Sequence, residues 1–193
     1  MNQLERDNYI HLPKFIKSKR AKDLATRYKQ FVDQAAAGGD TQVPNSQSFY
    51  NYDLFLELLC EKTPEISDIV GEPVLPTYCY SRAYKQGNTL ARHRDREACE
   101  VSVTLNLSGD KEWPIFIQKP SGEEVSVTLK PGDGMLYLGC VADHWRNQFE
   151  GTDLVQVFLH YVKSRGPNKF AYFDKNKGEG FDLIAVCKES FTK

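Results

Sequence analysis

The chain contains four histidines, His11, His93, His144 and His160. One of them opens the run His93-Arg94-Asp95, where an imidazole and a carboxylate stand at i and i+2. In a strand, or in the turn leaving one, that spacing puts both side chains on one side. His144 follows several strand-like runs later, and a chain folding back through a jelly roll brings it beside the first pair. Two neutral imidazoles and one carboxylate on one face of a metal ion form the ligand set of mononuclear non-haem iron(II) centres, with three positions left open. A solvated His next to an Asp is the plain alternative for the H-x-D run by itself. The distal histidine, with both motifs in strand-like surroundings, favours the metal. The same run begins the catalytic loop of protein kinases, but Glu100 stands where that loop needs Asn, and no Asp-Phe-Gly or glycine-rich loop accompanies it.

The elements that must position these residues can be read from periodicity. Tyr9–Leu12 predicts a short strand, closed by Pro13. Ser18 is placed to cap a helix over Lys19–Ala37, with Ala21, Leu24, Ala25, Tyr28, Phe31 and Val32 at helical spacing and Gly38-Gly39 as the stop. A polar loop follows over Asp40–Ser48. A second helical pattern runs from Leu54 through Leu59 to Ile69, ended by Gly71, Pro73 and Pro76. Beyond Pro76, β-rich runs alternate with turns: Thr77–Tyr84, Val101–Leu107, Trp113–Gln118, Glu124–Leu129, Gly134–Leu138 and Val155–Val162. Strands at this spacing predict a sandwich or jelly roll. The expected fold is therefore α+β: a double-stranded β-helix (cupin-like) with N-terminal helices packed on one sheet. One domain over 1–193 is expected, divided into a strand and helices (1–75), the β-helix core (76–165) and a tail (166–193) that is either a closing strand or a lid. Segments 40–48 and 163–180 are the candidates for closing over the site.

Two stretches carry a family resemblance. The first runs from Tyr78-Cys79-Tyr80-Ser81-Arg82-Ala83-Tyr84 through Gly87 to His93-Arg94-Asp95; the second is Pro131-Gly132-Asp133-Gly134-Met135-Leu136-Tyr137, leading into Asp143-His144-Trp145-Arg146. An aromatic-rich strand and Gly turn before H-x-D, then a Pro-Gly-Asp turn before the distal His, resembles the 2-oxoglutarate/Fe(II)-dependent dioxygenase superfamily, in its prolyl-4-hydroxylase-like branch. The chain is also similar to small oxygenases of marine bacteriophages. The resemblance covers Tyr9 to Val162. It implies Fe(II) held by His93, Asp95 and His144, 2-oxoglutarate as cosubstrate, and O2 as oxidant.

The five-carbon cosubstrate ends in a carboxylate that needs a buried cation. Here the chain departs from the family. The usual basic residue lies nine or ten positions after the distal histidine, where this sequence has Asp153 and Leu154. Arg146 is the best substitute, because two residues beyond His144 a strand points it to the same inner face. Arg82 is the second candidate; a surface arginine is the plain alternative for either. Tyr80 and Tyr84 share a strand face with Arg82, and Tyr84 matches a cosubstrate-binding tyrosine of the family. Ser102 and Thr104 share the next face, with Thr104 where a hydroxyl donor is expected. Core packing is the competing explanation for each of these aromatics. Gln156, Phe158 and His160 share a face of the last strand; His160 is expected to be a satisfied barrel histidine, since a fourth protein ligand would close a position O2 needs. Arg92, Arg94 and Arg96 should lie opposite the metal dyad or ring the mouth, where they would attract an acidic substrate.

Composition narrows the class of protein. The 193 residues (22.0 kDa) are 40% hydrophobic and 26% charged, so the chain can bury a core and is not disordered. Lys+Arg 25 against Asp+Glu 26 gives a net charge of −1, so no global field favours nucleic acid or an anionic membrane. No apolar run is long enough to span a bilayer, and the charged start Met1–Asp7 lacks a signal-peptide core, so a cytoplasmic address is expected. Five scattered cysteines without C-x-x-C are expected to be reduced, buried thiols. The reading is an oxygenase that hydroxylates an unactivated C–H of a prolyl or other peptidyl residue, or of a small metabolite. The rivals are a cupin-like Zn(II) or Ni(II) enzyme without 2-oxoglutarate and a non-enzymatic jelly-roll binding module. Oligomeric state and any need for ascorbate are left open.

Overall fold

The computed structural model describes residues 2–174. In chain order the elements are α1 (Gln3–Asp7), β1 (Tyr9–Leu12), α2 (Ser18–Gln34), β2 (Gln47–Tyr50), α3 (Asp53–Val70), β3 (Val74–Lys85), β4 (Leu90–His93), β5 (Val101–Gly109), β6 (Ile115–Gln118), β7 (Glu124–Val127), β8 (Gly134–Tyr137), β9 (His144–Arg146) and β10 (Asp153–Lys163), with 3₁₀ turns at Glu97–Cys99 and Pro167–Ala171. The strands form two antiparallel sheets, β1-β8-β5-β10-β3-β2 and β4-β9-β6-β7. These are the two walls of the expected double-stranded β-helix.

Strand alternation sorts the long strands of the larger sheet. Cys79 and Ala83, Val101, Val103, Leu105 and Leu107, and Val155, Val157, Leu159 and Tyr161 turn to one face, where they share a core with α2 and α3. The helices supply Leu24, Tyr28, Phe55, Leu58, Leu59 and Ile66 to it, all buried. Two tyrosines lock this contact: Tyr28 Oη donates to the Ser81 carbonyl at 3.1 Å and Tyr161 Oη to the Leu59 carbonyl at 3.1 Å. The opposite face is left to Tyr78, Tyr80, Arg82, Tyr84, Ser102, Thr104, Gln156, Phe158 and His160. A polar row that is nevertheless buried marks the interior of a functional barrel rather than a plain core.

Several local expectations are corrected. Ser18 is the first helical residue; the cap is Lys17, which makes no side-chain capping bond. That helix ends at Gln34, before the glycines, because Ala36 turns left-handed at φ 48°. β3 begins before Pro76, which it accommodates because the ladder to β10 slips there: Tyr78 pairs with His160, but Pro76 with Tyr161. The helix at 3–7, the strand β2, which begins within the last two residues of the expected polar loop and runs on to Tyr50, and the short strands β4 and β9 are additions to the expected elements. Cys79 and Cys99 are free, buried thiols as expected, and Cys140 is a free thiol but only half-buried; Cys60 lies in the buried core, and Cys187 lies outside the described residues. Among the described residues no helix is long and apolar enough to cross a membrane.

Candidate active site

β4 and β9 pair so that His93 and His144 are direct cross-strand partners, with Leu90 opposite Arg146. Three steps on β4 match two on β9, so β4 carries one extra residue. Without that bulge, Leu90 and His93 would point to opposite faces; with it, both enter the cavity. The flanking side chains go outward: Arg92 lies over the Trp145 ring at 4.5 Å and pairs with Glu124 at 2.5 Å.

Asp95 completes the set. Its backbone N–H donates to the Gly139 carbonyl at 2.9 Å, and its Oδ1 lies 3.4 Å from His93 Nε2 and 3.5 Å from His144 Nε2. The three ligand atoms lie within 4.8 Å of one another. Each histidine is oriented from behind: Nδ1 meets a backbone carbonyl, Ala91 for His93 at 2.8 Å and Ala142 for His144 at 3.0 Å. A carbonyl can only accept, so Nδ1 carries the proton and Nε2 keeps its lone pair for the centre. Tyr137 Oη donates to Asp95 Oδ2 at 3.2 Å, holding the carboxylate from its other side. Burial opposes ionisation of Asp95, but its close contacts with the His144 and His93 rings outweigh it and hold the carboxyl far below its usual range. Burial likewise disfavours a charged His93, yet contact with Asp95 and the Ala91 carbonyl raises its pKa.

The set opens into a cavity of about 370 Å³. Tyr50, Tyr78, Tyr80, Phe158 and His160 form an aromatic wall, with Arg82 further along and Arg94 and Arg96 also in the lining. Arg94 and Arg96 therefore reach the cavity rather than lying on the opposite face; they pair with Asp143 and Asp174, each at 2.5 Å. Asp40, Thr41 and Gln42 are part of the lining too, so the 40–48 segment contributes a wall. Asp40 Oδ1 accepts from the Gln42 and Val43 N–H groups, while its Oδ2 accepts from Tyr80 Oη at 2.5 Å and from Arg82. The 163–180 segment is described as far as Asp174.

The cosubstrate candidates divide into two groups. Arg82 and Tyr80 line the cavity, but Arg82 is engaged by Asp40, by Gln42 at 2.8 Å and by Tyr84 Oη at 3.4 Å. Tyr84, Ser102, Thr104 and Arg146 are buried behind the lining. Thr104 Oγ1 accepts from Gln156 Nε2 at 2.6 Å, and Ser102 meets His160 Nδ1 at 2.8 Å. Arg146 points inward as the i+2 rule predicts and is 3% exposed. Its guanidinium lies 4.8 Å over the Trp113 ring and donates from Nη1 to the Trp113 carbonyl. Among the described residues its Nε and Nη2 have no partner, and no carboxylate faces it. Burial alone drives its pKa down to about 10, against small opposing contributions from Tyr84 and Tyr137. A buried guanidinium with two N–H groups unused among the described residues could hold an anion. Sequence reasoning did not single out Tyr137, Asp40 or Cys99 for the site; Tyr137 lay in a quoted motif, and the other two had no local signal.

No family model matches the chain, and no curated protein matches it. Solved structures do. It is similar to a prolyl-4-hydroxylase from Pseudomonas putida (16% identity over 84% of this chain and 96% of that one, TM-score 0.67). It is similar to the epimerase SnoN from nogalamycin biosynthesis, solved with Fe3+, α-ketoglutarate and nogalamycin RO (13%, 94% and 90%, TM-score 0.71). HygX from Streptomyces hygroscopicus, solved with nickel, 2-oxoglutarate and hygromycin B, is a third (12%, 84% and 85%, TM-score 0.69). At these identities the likeness is one of fold, and that fold is the one the motifs implied.

Proposed function

We propose that the protein is an Fe(II)- and 2-oxoglutarate-dependent oxygenase, with the metal held by His93, Asp95 and His144 and the far carboxylate of the cosubstrate on Arg146. The convergence of two Nε2 lone pairs and one ionised carboxylate carries the reading. The residues fit the implied groups: the donor set suits iron(II) with open positions, and the idle N–H groups of Arg146 suit a carboxylate. The second observation also favours this reading over a cupin-like enzyme that uses no keto acid, for which an unpaired guanidinium behind the metal has no task. Iron(II), 2-oxoglutarate and O2 together supply the oxidation of an unactivated C–H, with decarboxylation of the keto acid to succinate and CO2.

The chain's own part is geometric. The Ala91 and Ala142 carbonyls fix both imidazoles in the metal-binding tautomer. Tyr137 and the Gly139 carbonyl fix Asp95, so that the carboxylate presents one oxygen to the centre. The aromatic wall excludes water from one side of the cavity. Tyr84, Thr104 and Ser102 are proposed to support the cosubstrate pocket from the second layer of side chains, and Arg82 with Tyr80 to set its outer wall. The substrate we propose, from the motif resemblance, is a prolyl or other peptidyl residue entering between Tyr50 and Arg94; a small metabolite is the alternative. The test is anaerobic titration of the Fe(II)-loaded protein with 2-oxoglutarate. A saturable visible charge-transfer band supports the reading, and iron binding without a band refutes the cosubstrate assignment.

A further inference from the structure

Beside the first ligand set lies a second one. Asp95, Cys99 Sγ and His160 also present ligand atoms within 4.8 Å of one another, and both Cys99 and His160 are buried in the cavity lining. Ser102 Oγ lies 3.2 Å from the Cys99 carbonyl and 2.8 Å from His160 Nδ1. With its hydroxyl turned to the carbonyl, Ser102 accepts from Nδ1–H, and His160 Nε2 is left with its lone pair, the tautomer a metal-binding histidine needs. Cys99 Sγ lies 3.1 Å from Tyr78 Oη, a hydroxyl able to donate to a sulfur anion. The Tyr78 and His160 rings stand 4.5 Å apart and fix both partners. The nearby positive charge of Arg96, over the Tyr78 ring at 4.8 Å, is neutralised by Asp174.

We propose that Asp95, Cys99 and His160 form a second metal position, sharing Asp95 with the first and selective for thiophilic divalent cations such as Zn2+ or Cd2+. Carboxylate, thiolate and imidazole together are a borderline-soft donor set. In a tetrahedral site with bonds of about 2.0–2.3 Å, donors stand about 3.3–3.8 Å apart, so donors within 4.8 Å of one another need closure by at most about 1.0–1.5 Å. Binding displaces the proton of the buried thiol into solvent. Because both positions draw on Asp95, a cation in the second weakens binding in the first. The first position has no sulfur, so the two are told apart by a thiolate signal.

Co2+ serves as the probe. Metal-free full-length protein is titrated anaerobically with Co2+, without 2-oxoglutarate. A saturable thiolate-to-cobalt charge-transfer band in the near ultraviolet is expected in the wild type and in His93→Ala, which lacks the first ligand set. The band should vanish in Cys99→Ser and require at least tenfold more cobalt in His160→Ala. A wild type without the band, or a band indifferent to His160→Ala, overturns the proposal. Should Cys99→Ser misfold, alkylation of the wild-type thiols mapped by mass spectrometry decides: Zn2+ should slow labelling of Cys99, and unchanged labelling overturns the proposal. Neither readout depends on iron or 2-oxoglutarate, so failure here and failure of the oxygenase reading are separable.

Discussion

Replacing Arg146 by Met separates a cosubstrate clamp from a structural cation. Burial lowers the guanidinium pKa from 12.5 to about 10. At about 1.4 kcal/mol per unit, the charged side chain costs the metal-free fold about 3 kcal/mol. The sign follows from linkage. Below pH 10 the group is charged in both folded and unfolded states and the penalty is fully present; it is relieved only as pH climbs from about 10 toward 12.5. Arg146→Met removes the penalty but also removes the bond to the Trp113 carbonyl, a charged hydrogen bond worth about 1.5–3 kcal/mol. The metal-free variant should therefore be as stable as the wild type or up to about 1.5 kcal/mol more stable. For a chain of this length that is a rise in Tm of at most about 6 °C. Truncating an ordinary buried large side chain would instead cost about 2–5 kcal/mol.

Cosubstrate binding should move the other way. Removing one partner of a buried, hydrogen-bonded charge pair costs about 2–5 kcal/mol, or roughly 30-fold to several-thousand-fold in Kd. Iron affinity should be unchanged, since Arg146 touches none of the three ligands. The assay pairs anaerobic 2-oxoglutarate titration, read by the visible band, with denaturant unfolding of the metal-free protein. Unchanged 2-oxoglutarate affinity together with a loss of more than about 3 kcal/mol in stability would refute the assignment, and would make Arg146 a structural cation bracing Trp113.

Four further outcomes are expected. Asp95→Ala should abolish stoichiometric iron binding while leaving the far-UV circular dichroism intact; retained stoichiometry would remove the proposed centre. Tyr137→Phe deletes the donor to Asp95 Oδ2 and should weaken iron about 10–100-fold in a chelator competition, whereas a purely packing role predicts no change. Gly139→Ala should do similar damage without replacing a ligand, because its Cβ would collide with the Cys99 carbonyl oxygen and lie 2.6 Å from Asp95 Oδ2; wild-type iron affinity would show that the loop yields freely. Asp40→Leu removes the half-buried carboxylate paired with Arg82, leaving Gln42 and Tyr84 as its partners, and should cost about 1.5–3 kcal/mol in denaturant unfolding, with much of it recovered in the Asp40→Leu/Arg82→Leu double variant. Additive losses in the double variant would mean that the pair is not coupled.

The sequence made the candidate ligand set legible because its residues obey local rules. The i, i+2 spacing of His93 and Asp95, and of His144 and Arg146, holds in the strand and in the turn leaving it, and the long strands and helices announce themselves by periodicity. What stayed hidden is what depends on register. The bulge that aims both Leu90 and His93 inward exists only in the pairing of β4 with β9, two strands too short to show a pattern. The wall built from Asp40 has the same origin: a polar residue between Gly39 and Thr41 reads as loop until β3 brings Tyr80 and Arg82 beneath it.

That difference bears on how the two arginines are to be understood. Alternation alone makes Arg82 and Arg146 equivalent, since each is an inward cation on a barrel strand. Tertiary contacts then divide them. Arg82 receives Asp40, Gln42 and Tyr84 from its surroundings, and its charge is matched within the chain. Arg146 receives one carbonyl and an aromatic face, and its charge is not. A fold that buries a guanidinium without an acid is less stable in isolation than one that pairs it, and it recovers that stability only from a bound anion. The expectation placed on Arg146 by spacing thus gains its physical basis from what the fold withholds from it.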